Sequence, residues 1–317
     1  MLAGVAVPIL IFEVLMYGLL GLCLWHALHQ GALRWARVLE LATGVLYGLT
    51  LEVSTIFLFH SYQYGHFLIM FGPVPLAVAV GWSIILYSAM AFADALALPS
   101  WAAPALVGLL GLNIDLSMDA IAIRLHMWQW QGIASTQQWF GVPYANFYAW
   151  VIVLCSASAL LWWARPLTAR PGWRGPLAAL GAVVGSLLIL TLLDELVVQY
   201  DDHGGIVWLP AVIVVTGALL VVGWGLWMRR SSVRPSPTTT VAALLLPMLV
   251  PLSFHPYFLI MLFVAQIAVH LPALLVISLS MLVVSLVAHG ALVVSVLGAQ
   301  PTPPSSPLAS HEPLRAQ

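Results

Sequence analysis

The chain has no lysine, and only 7% of its 317 residues are charged. A soluble domain carries about a quarter charged residues, which excludes that class. With 62% hydrophobic residues and a mean hydropathy of +1.03, the sequence reads as a multi-span membrane protein without a sizeable extramembrane domain. All ten basic residues are arginine and the net charge is −1, so no basic field exists for nucleic acid. Cysteine is scarce: Cys23 and Cys155 fall in apolar segments and read as small buried hydrophobes, with no support for a disulfide. The first apolar segment lacks a basic leader and a small-residue cleavage site, so it reads as a retained span rather than a signal peptide. Period-two alternation is missing from the apolar runs, which leaves helices rather than a barrel. No internal repeat is visible.

What is present is a series of apolar runs, each long enough to cross about 30 Å of hydrocarbon as a helix. Nine are expected: Val5–Leu28, Val38–Phe59, Phe71–Leu96, Trp101–Ile123, Tyr144–Ala164, Pro176–Val198, Ile206–Met228, Val241–Val264 and Leu271–Gly298. The fold class is thus an all-α integral membrane protein. Residues 1–299 form one polytopic domain, and a Pro/Ser-rich tail over 300–317 is expected to be disordered. Arg34, Arg37, Arg165, Arg170, Arg174, Arg229, Arg230, Arg234 and Arg315 all fall between spans on one side, and Arg124 alone on the other. The positive-inside rule then puts the amino terminus outside and the carboxyl terminus in the cytoplasm, the membrane being taken as the cytoplasmic membrane of a prokaryote.

Within this frame the ionisable groups gather toward the non-cytoplasmic half: Glu13, Glu52, Asp115, Asp119, Asp194, Glu195 and His255, the last between Pro251 and Pro256, which should kink their helix. A carboxyl in mid-membrane is expensive unless protonated or paired, and marks a candidate site. Glu13 alone is equally well read as a protonated or locally hydrogen-bonded acid, and Asp194 and Glu195 as headgroup-level residues. Asp115 and Asp119 are different. Four residues apart, they share a helix face about 6 Å apart along the axis. Two carboxylates so close in a low dielectric do not both ionise, so the pair holds one proton between them, a usable acid–base couple. Trp128, Trp130, Trp139, Tyr144 and Tyr148 flank the same span ends. Interfacial anchoring explains most of them. The sharper reading is that some line a tunnel and stabilise a cation through their π faces.

The order Glu52, Tyr62-Gln-Tyr64, Gly72-Pro-Val-Pro75 through Trp82, Asp115-x-x-x-Asp119, Trp128-x-Trp130, Gly141-Val-Pro143 and Asn146-Phe-x-x-Trp150 resembles the carotenoid biosynthesis proteins of the bisanhydrobacterioruberin hydratase type. Ala120 and Ala149 stand where that pattern has proline and glycine. The resemblance implies hydration of a terminal carbon–carbon double bond of a carotenoid or other long polyisoprenoid to a tertiary alcohol, a carbon–oxygen lyase type of chemistry. It requires no cofactor and no metal. The partners implied are the lipid-soluble substrate, membrane lipid and other carotenoid-biosynthesis enzymes. Such chemistry needs a positioned acid, cation stabilisation and one water. The residues implied are Asp119 as acid, Asp115 as its partner and Glu52 or Asn146 on water, with the aspartate roles exchangeable. Tyr62, Tyr64, Trp82, Trp128, Trp130, Asn146, Trp150 and His255 are expected around the substrate.

Three rivals remain. An intramembrane prenyltransferase also uses Asp-x-x-x-Asp, but to hold magnesium and a diphosphate, which calls for several basic residues where only Arg124 is near. A histidine-ligated di-iron enzyme needs clustered histidines at helical spacings, and no His-x-x-His-His occurs. A proton-coupled transporter or carotenoid-binding subunit suits the acids and His255, though the lack of a visible repeat weighs against a transporter.

Overall fold

The computed structural model describes residues 4–229 and 241–298. Among them nine helices are long and apolar enough to cross a membrane. They are α1 (Val7–Leu28), α2 (Arg34–Phe59), α3 (Leu76–Leu96), α4 (Ala103–Arg124), α5 (Tyr144–Thr168), α6 (Arg174–Asp202), α7 (Leu209–Arg229), α8 (Val241–Val264) and α10 (Pro272–Gly298), with α9 (Ile267–His270) a single turn before the last. Each long helix coincides with one of the nine apolar runs, and the all-α membrane class holds. The Pro/Ser-rich tail, Arg230, Arg234 and Arg315 lie outside the described residues.

The helices differ in how deeply they sit. The most apolar windows of α3 and α4 are 78% and 72% buried, whereas that of α7 is 17% buried. Thus α3 and α4 form the centre, and α6, α7 and α10 turn broad apolar faces outward, as lipid-facing helices do.

Between the central helices lie six short strands: β1 (Tyr62–Tyr64), β2 (Met70–Phe71), β3 (Val74–Pro75), β4 (Trp128–Trp130), β5 (Gln138–Trp139) and β6 (Val142–Pro143). They reveal a repeat that the sequence did not disclose. The unit α2–β1–β2–β3–α3 has the same order of parts as α4–β4–β5–β6–α5. In each, a helix ends, a three-residue strand follows, and a tight hairpin ends in Val-Pro. The proline then caps the next helix: Pro75 precedes α3 and Pro143 precedes α5. Its fixed φ suits a helix start, where no N–H is needed. The hairpin turns need left-handed backbone, supplied by Gly72 in one unit and by Phe140 and Gly141 in the other. Trp82 and Trp150 each stand seven residues beyond that proline.

The two units meet through β1 and β4, which pair antiparallel with Tyr62 opposite Trp130, Gln63 opposite Gln129 and Tyr64 opposite Trp128. This ribbon is symmetric about its central glutamine pair. Further along, Trp82 and Trp150 stack at 4.2 Å between ring centres. Twelve residues beyond them, Asp94 accepts the indole N–H of Trp162 at 3.0 Å. Glycines at equivalent places let each helix pair close up: a Cβ on Gly44 would lie 2.8 Å from Ser83 Cα, and one on Gly111 would overlap the Leu154 side chain.

The opposite end of the bundle is locked by ion pairs. Arg37 reaches Glu40 at 3.0 Å and Asp94 at 2.6 Å, and Arg165 reaches Glu40 at 2.7 Å and Asp94 at 3.1 Å. The closed ring ties α2, α3 and α5 and carries no net charge. It corrects the placement of Arg37 and Arg165 as loop arginines: α2 starts at Arg34 and α5 runs to Thr168, so both lie within helices. Their charges are matched by Glu40 and Asp94, and such a pairing is what lets charge sit among apolar helices.

Candidate functional site

The ribbon explains the two aromatic motifs. In a strand, side chains alternate between faces, so Tyr62 and Tyr64 share one face with Trp128 and Trp130, while Gln63 and Gln129 take the other. Both glutamines are exposed, and all four aromatic residues line one cavity of about 80 Å³ under the ribbon. A single water needs roughly 10–15 Å³ by this measure, so the space admits more than water. The four rings interlock edge to face, Tyr62 on Trp130 at 4.8 Å and Tyr64 on Trp128 at 6.1 Å.

Each unit brings one buried acid to this cavity. From α2, Glu52 accepts hydrogen bonds from the Tyr62 hydroxyl, the Tyr64 hydroxyl at 2.6 Å and the Trp82 indole N–H at 2.6 Å. Burial, and after it the charge of Glu52, holds both phenols well above the usual tyrosine range. They therefore stay protonated and remain donors. Both Glu52 oxygens face donors, which is the environment of a carboxylate rather than a carboxylic acid.

From α4, Asp119 accepts the Trp128 indole N–H on one oxygen and an N–H of Asn146 on the other at 3.0 Å. The same Asn146 amide gives its second N–H to Asp115 Oδ2 at 3.0 Å. One side chain of α5 thus bridges the acid pair. Asp115 is 1% exposed, and its Oδ1 has no hydrogen-bond partner among the described residues. The indole N–H of Trp130 is buried too, near Asp119 but in no close hydrogen bond among the described residues. An unpaired polar atom in such surroundings is costly, so Asp115 Oδ1 marks a place for a polar guest.

Ten of the eleven expected residues meet here: Glu52, Tyr62, Tyr64, Trp82, Asp115, Asp119, Trp128, Trp130, Asn146 and Trp150 all line the cavity. His255 does not. It is held at the junction of α4, α8 and α10, with Nδ1 2.8 Å from Ser117 Oγ and Nε2 3.0 Å from Asn113 Oδ1 and Ser285 Oγ. Asn113 and Ser117 lie on the other side of α4 from the acid pair, since two residues along a helix turn the chain about 200°. The contribution of α8 to the cavity is instead Phe254, joined by Phe12 of α1 and Met118 of α4. No sequence signal distinguished these three, because an apolar residue in an apolar helix is the default.

Glu13, Asp194 and Glu195, outside the cavity, have local partners. Glu13 accepts the backbone N–H groups of Leu68 at 2.8 Å and Ile69 at 3.1 Å, pinning the segment after β1 to α1. Asp194 accepts the Tyr148 hydroxyl, and Glu195 accepts an N–H of Gln199 at 3.0 Å. Arg124 donates to the carbonyl of Phe140 at 3.0 Å, bracing the strained turn of the second hairpin.

Fold and cavity define an integral membrane protein with carboxyl groups and aromatic rings around an intramembrane chamber. The chain belongs to the carotenoid biosynthesis protein family, whose pattern it matches over residues 7–224. That span takes in α1 to α6, most of α7 and both repeat units. Neither a search of curated proteins nor one of solved structures gave a match. The chain is a membrane protein of carotenoid biosynthesis.

Proposed function

We propose that the protein is a hydratase of the bisanhydrobacterioruberin hydratase type, adding water across a terminal carbon–carbon double bond of a carotenoid or related polyisoprenoid. The observation that carries this reading is the acid pair bridged by Asn146, with Asp115 Oδ1 left unpartnered in an aromatic cavity. Three of the pair's four oxygen positions accept from a donor and favour negative charge. The pair's one proton belongs on the fourth, Asp115 Oδ1. That exchanges the roles expected from sequence: Asp115 is the acid, and Asp119 is its fixed, ionised partner.

The reaction then runs in two steps. Asp115 gives its proton to the less substituted alkene carbon, leaving a tertiary carbocation and the Asp115 carboxylate. Water adds to the cation, and its surplus proton returns to Asp115. Alkene and water become a tertiary alcohol with no change of redox state. The indole N–H of Trp130, beside Asp119 and in no close hydrogen bond among the described residues, is placed to hold the oxygen of water or product. The stacked Trp82 and Trp150 and the four ribbon aromatics present π faces and edges around the cation.

A prenyl diphosphate suits this chamber poorly. No arginine among the described residues lines it, and Arg124 is committed to the Ala120 and Phe140 carbonyls. The repeat removes the objection raised against a transporter, since paired repeats are common there. Membership of a biosynthetic family weighs the other way. Expression in a carotenoid-producing host, with pigments read by mass, tests the proposal. A gain of one water mass per modified end is the expected result, and an unchanged pigment profile counts against hydration.

A further inference from the structure

Among the described residues, the cavity wall carries three carboxyl groups, Glu52, Asp115 and Asp119, and no arginine or histidine. The chain has no lysine to offer. At the opposite end of the bundle buried charge is met by charge, in the ring of Arg37, Glu40, Asp94 and Arg165. One proton accounts for half of the aspartate pair, and Asn146 and Trp128 stabilise the remaining charge. Glu52 is different. Its three hydrogen-bond partners favour the anion, and among the described residues no carboxyl is hydrogen-bonded to it. Rings of Trp82, Trp128 and Trp130 stand around it, and beyond them the wall is apolar, with Phe12, Met118 and Phe254. The unpartnered, buried Asp115 Oδ1 in the same wall is an open acceptor.

We propose that this chamber binds an organic cation: a tertiary or quaternary ammonium group at the end of a long apolar chain, with its charge facing Glu52 and its alkyl groups against the indoles. A fixed anion attracts the charge, aromatic faces favour alkylated ammonium over water, and the apolar wall takes the chain. An inorganic cation fits less well. It needs several oxygens free to coordinate it, and no group of three His, Cys, Asp or Glu among the described residues is arranged to do so. The inference rests on the same cavity as the hydratase reading but concerns binding. It makes long-chain ammonium compounds ligands of the site in place of a cationic intermediate, and gives Glu52 the task of counter-charge rather than water holder.

The test uses the full chain in nanodiscs of zwitterionic lipid, so that lipid charge does not gather the probe. Two probes are compared: a geranyl chain ending in trimethylammonium, and the same chain ending in tert-butyl, its neutral isostere. Binding is read by quenching of tryptophan fluorescence and by the shift in thermal unfolding. The ammonium probe is expected to bind at least about tenfold more tightly than its isostere. Glu52→Gln is expected to bring the two within about threefold, with the neutral probe unaffected. Equal binding of both probes to the wild-type chain overturns the proposal, and that comparison decides alone if the variant does not fold. An ammonium preference that survives Glu52→Gln overturns it as well, because the charge is then felt elsewhere. Displacement of the ammonium by millimolar magnesium assigns the position to an inorganic cation and likewise overturns the proposal. No turnover is needed, so a failed hydration assay leaves this result standing. A failed binding test beside intact hydration leaves Glu52 as a structural acceptor.

Discussion

Glu52 and Asp119 hold equivalent places in two copies of one helix–strand–hairpin–helix unit, and their surroundings diverge at two positions. Four residues before Asp119 stands Asp115; four before Glu52 stands Gly48. Three residues after the hairpin proline of the second unit stands Asn146; in the first it is Val78. Gly48 has no room for an acid, since even a Cβ there would lie 2.9 Å from Trp82 Cβ and 3.0 Å from Ala79 Cα. The first unit therefore holds one carboxylate, saturated with donors. The second holds two carboxyls, one amide bridge and one open oxygen. On the proposed reading, a shared scaffold supports a fixed charge on one wall and a transferable proton on the other.

That contrast can be broken from either side. The largest effect is expected from Asp115→Asn, which removes the proton donor while keeping shape: hydrated pigment per unit of folded protein should fall about 10²–10⁴-fold. Full activity in that variant, with activity lost in Asp119→Asn, would return the acid role to Asp119. Glu52→Gln should follow, with a drop of about 10²–10³-fold in the same pigment assay, as when a preorganised electrostatic contact is removed. Asn146→Val gives the second unit the residue of the first and leaves three aspartate oxygens unpaired instead of one. Loss of two bonds to the acid pair should lower product formation about 10–100-fold, and restored activity in Asn146→Gln would argue that the bridge rather than the volume matters. Tyr62→Phe should do least, because Glu52 keeps Tyr64 and Trp82. A stability loss of about 1–2 kcal/mol in a denaturant or thermal unfolding series, with product formation within about tenfold of wild type, is the expected outcome.

Hydropathy made the nine spans legible, because each helix must satisfy its own backbone in hydrocarbon and so appears as one long apolar run. The spacing of Asp115 and Asp119 made their shared face legible for a similar reason: helix geometry is local. The ribbon was not legible as structure. Its strands are three residues each, and what pairs them is tertiary. Tyr-Gln-Tyr and Trp-Gln-Trp did carry a period of two, visible once each is taken as an element and not as a loop. The repeat stayed hidden because its units share only scattered residues: an acid, two aromatic triplets, Phe71-Gly-Pro-Val-Pro75 against Phe140-Gly-Val-Pro143, and a tryptophan. His255 was misplaced because depth in the membrane was available from sequence while rotation about the helix was not. Glu40 and Asp94 escaped notice for the converse reason. Each is a lone acid in an apolar run, and their partners were counted as loop arginines.

The symmetric pairing of β1 with β4 has one more consequence. Two strands that cross antiparallel about a central residue pair make the isologous contact by which identical subunits join around a two-fold axis. A homodimer built that way carries every site residue twice, so an acid on one wall is an acid on both. With both halves in a single polypeptide, Asp115 and Asn146 occur once, opposite Gly48 and Val78. The chamber then has two unlike walls, which the proposed reaction needs: a proton from one side and charge on the other.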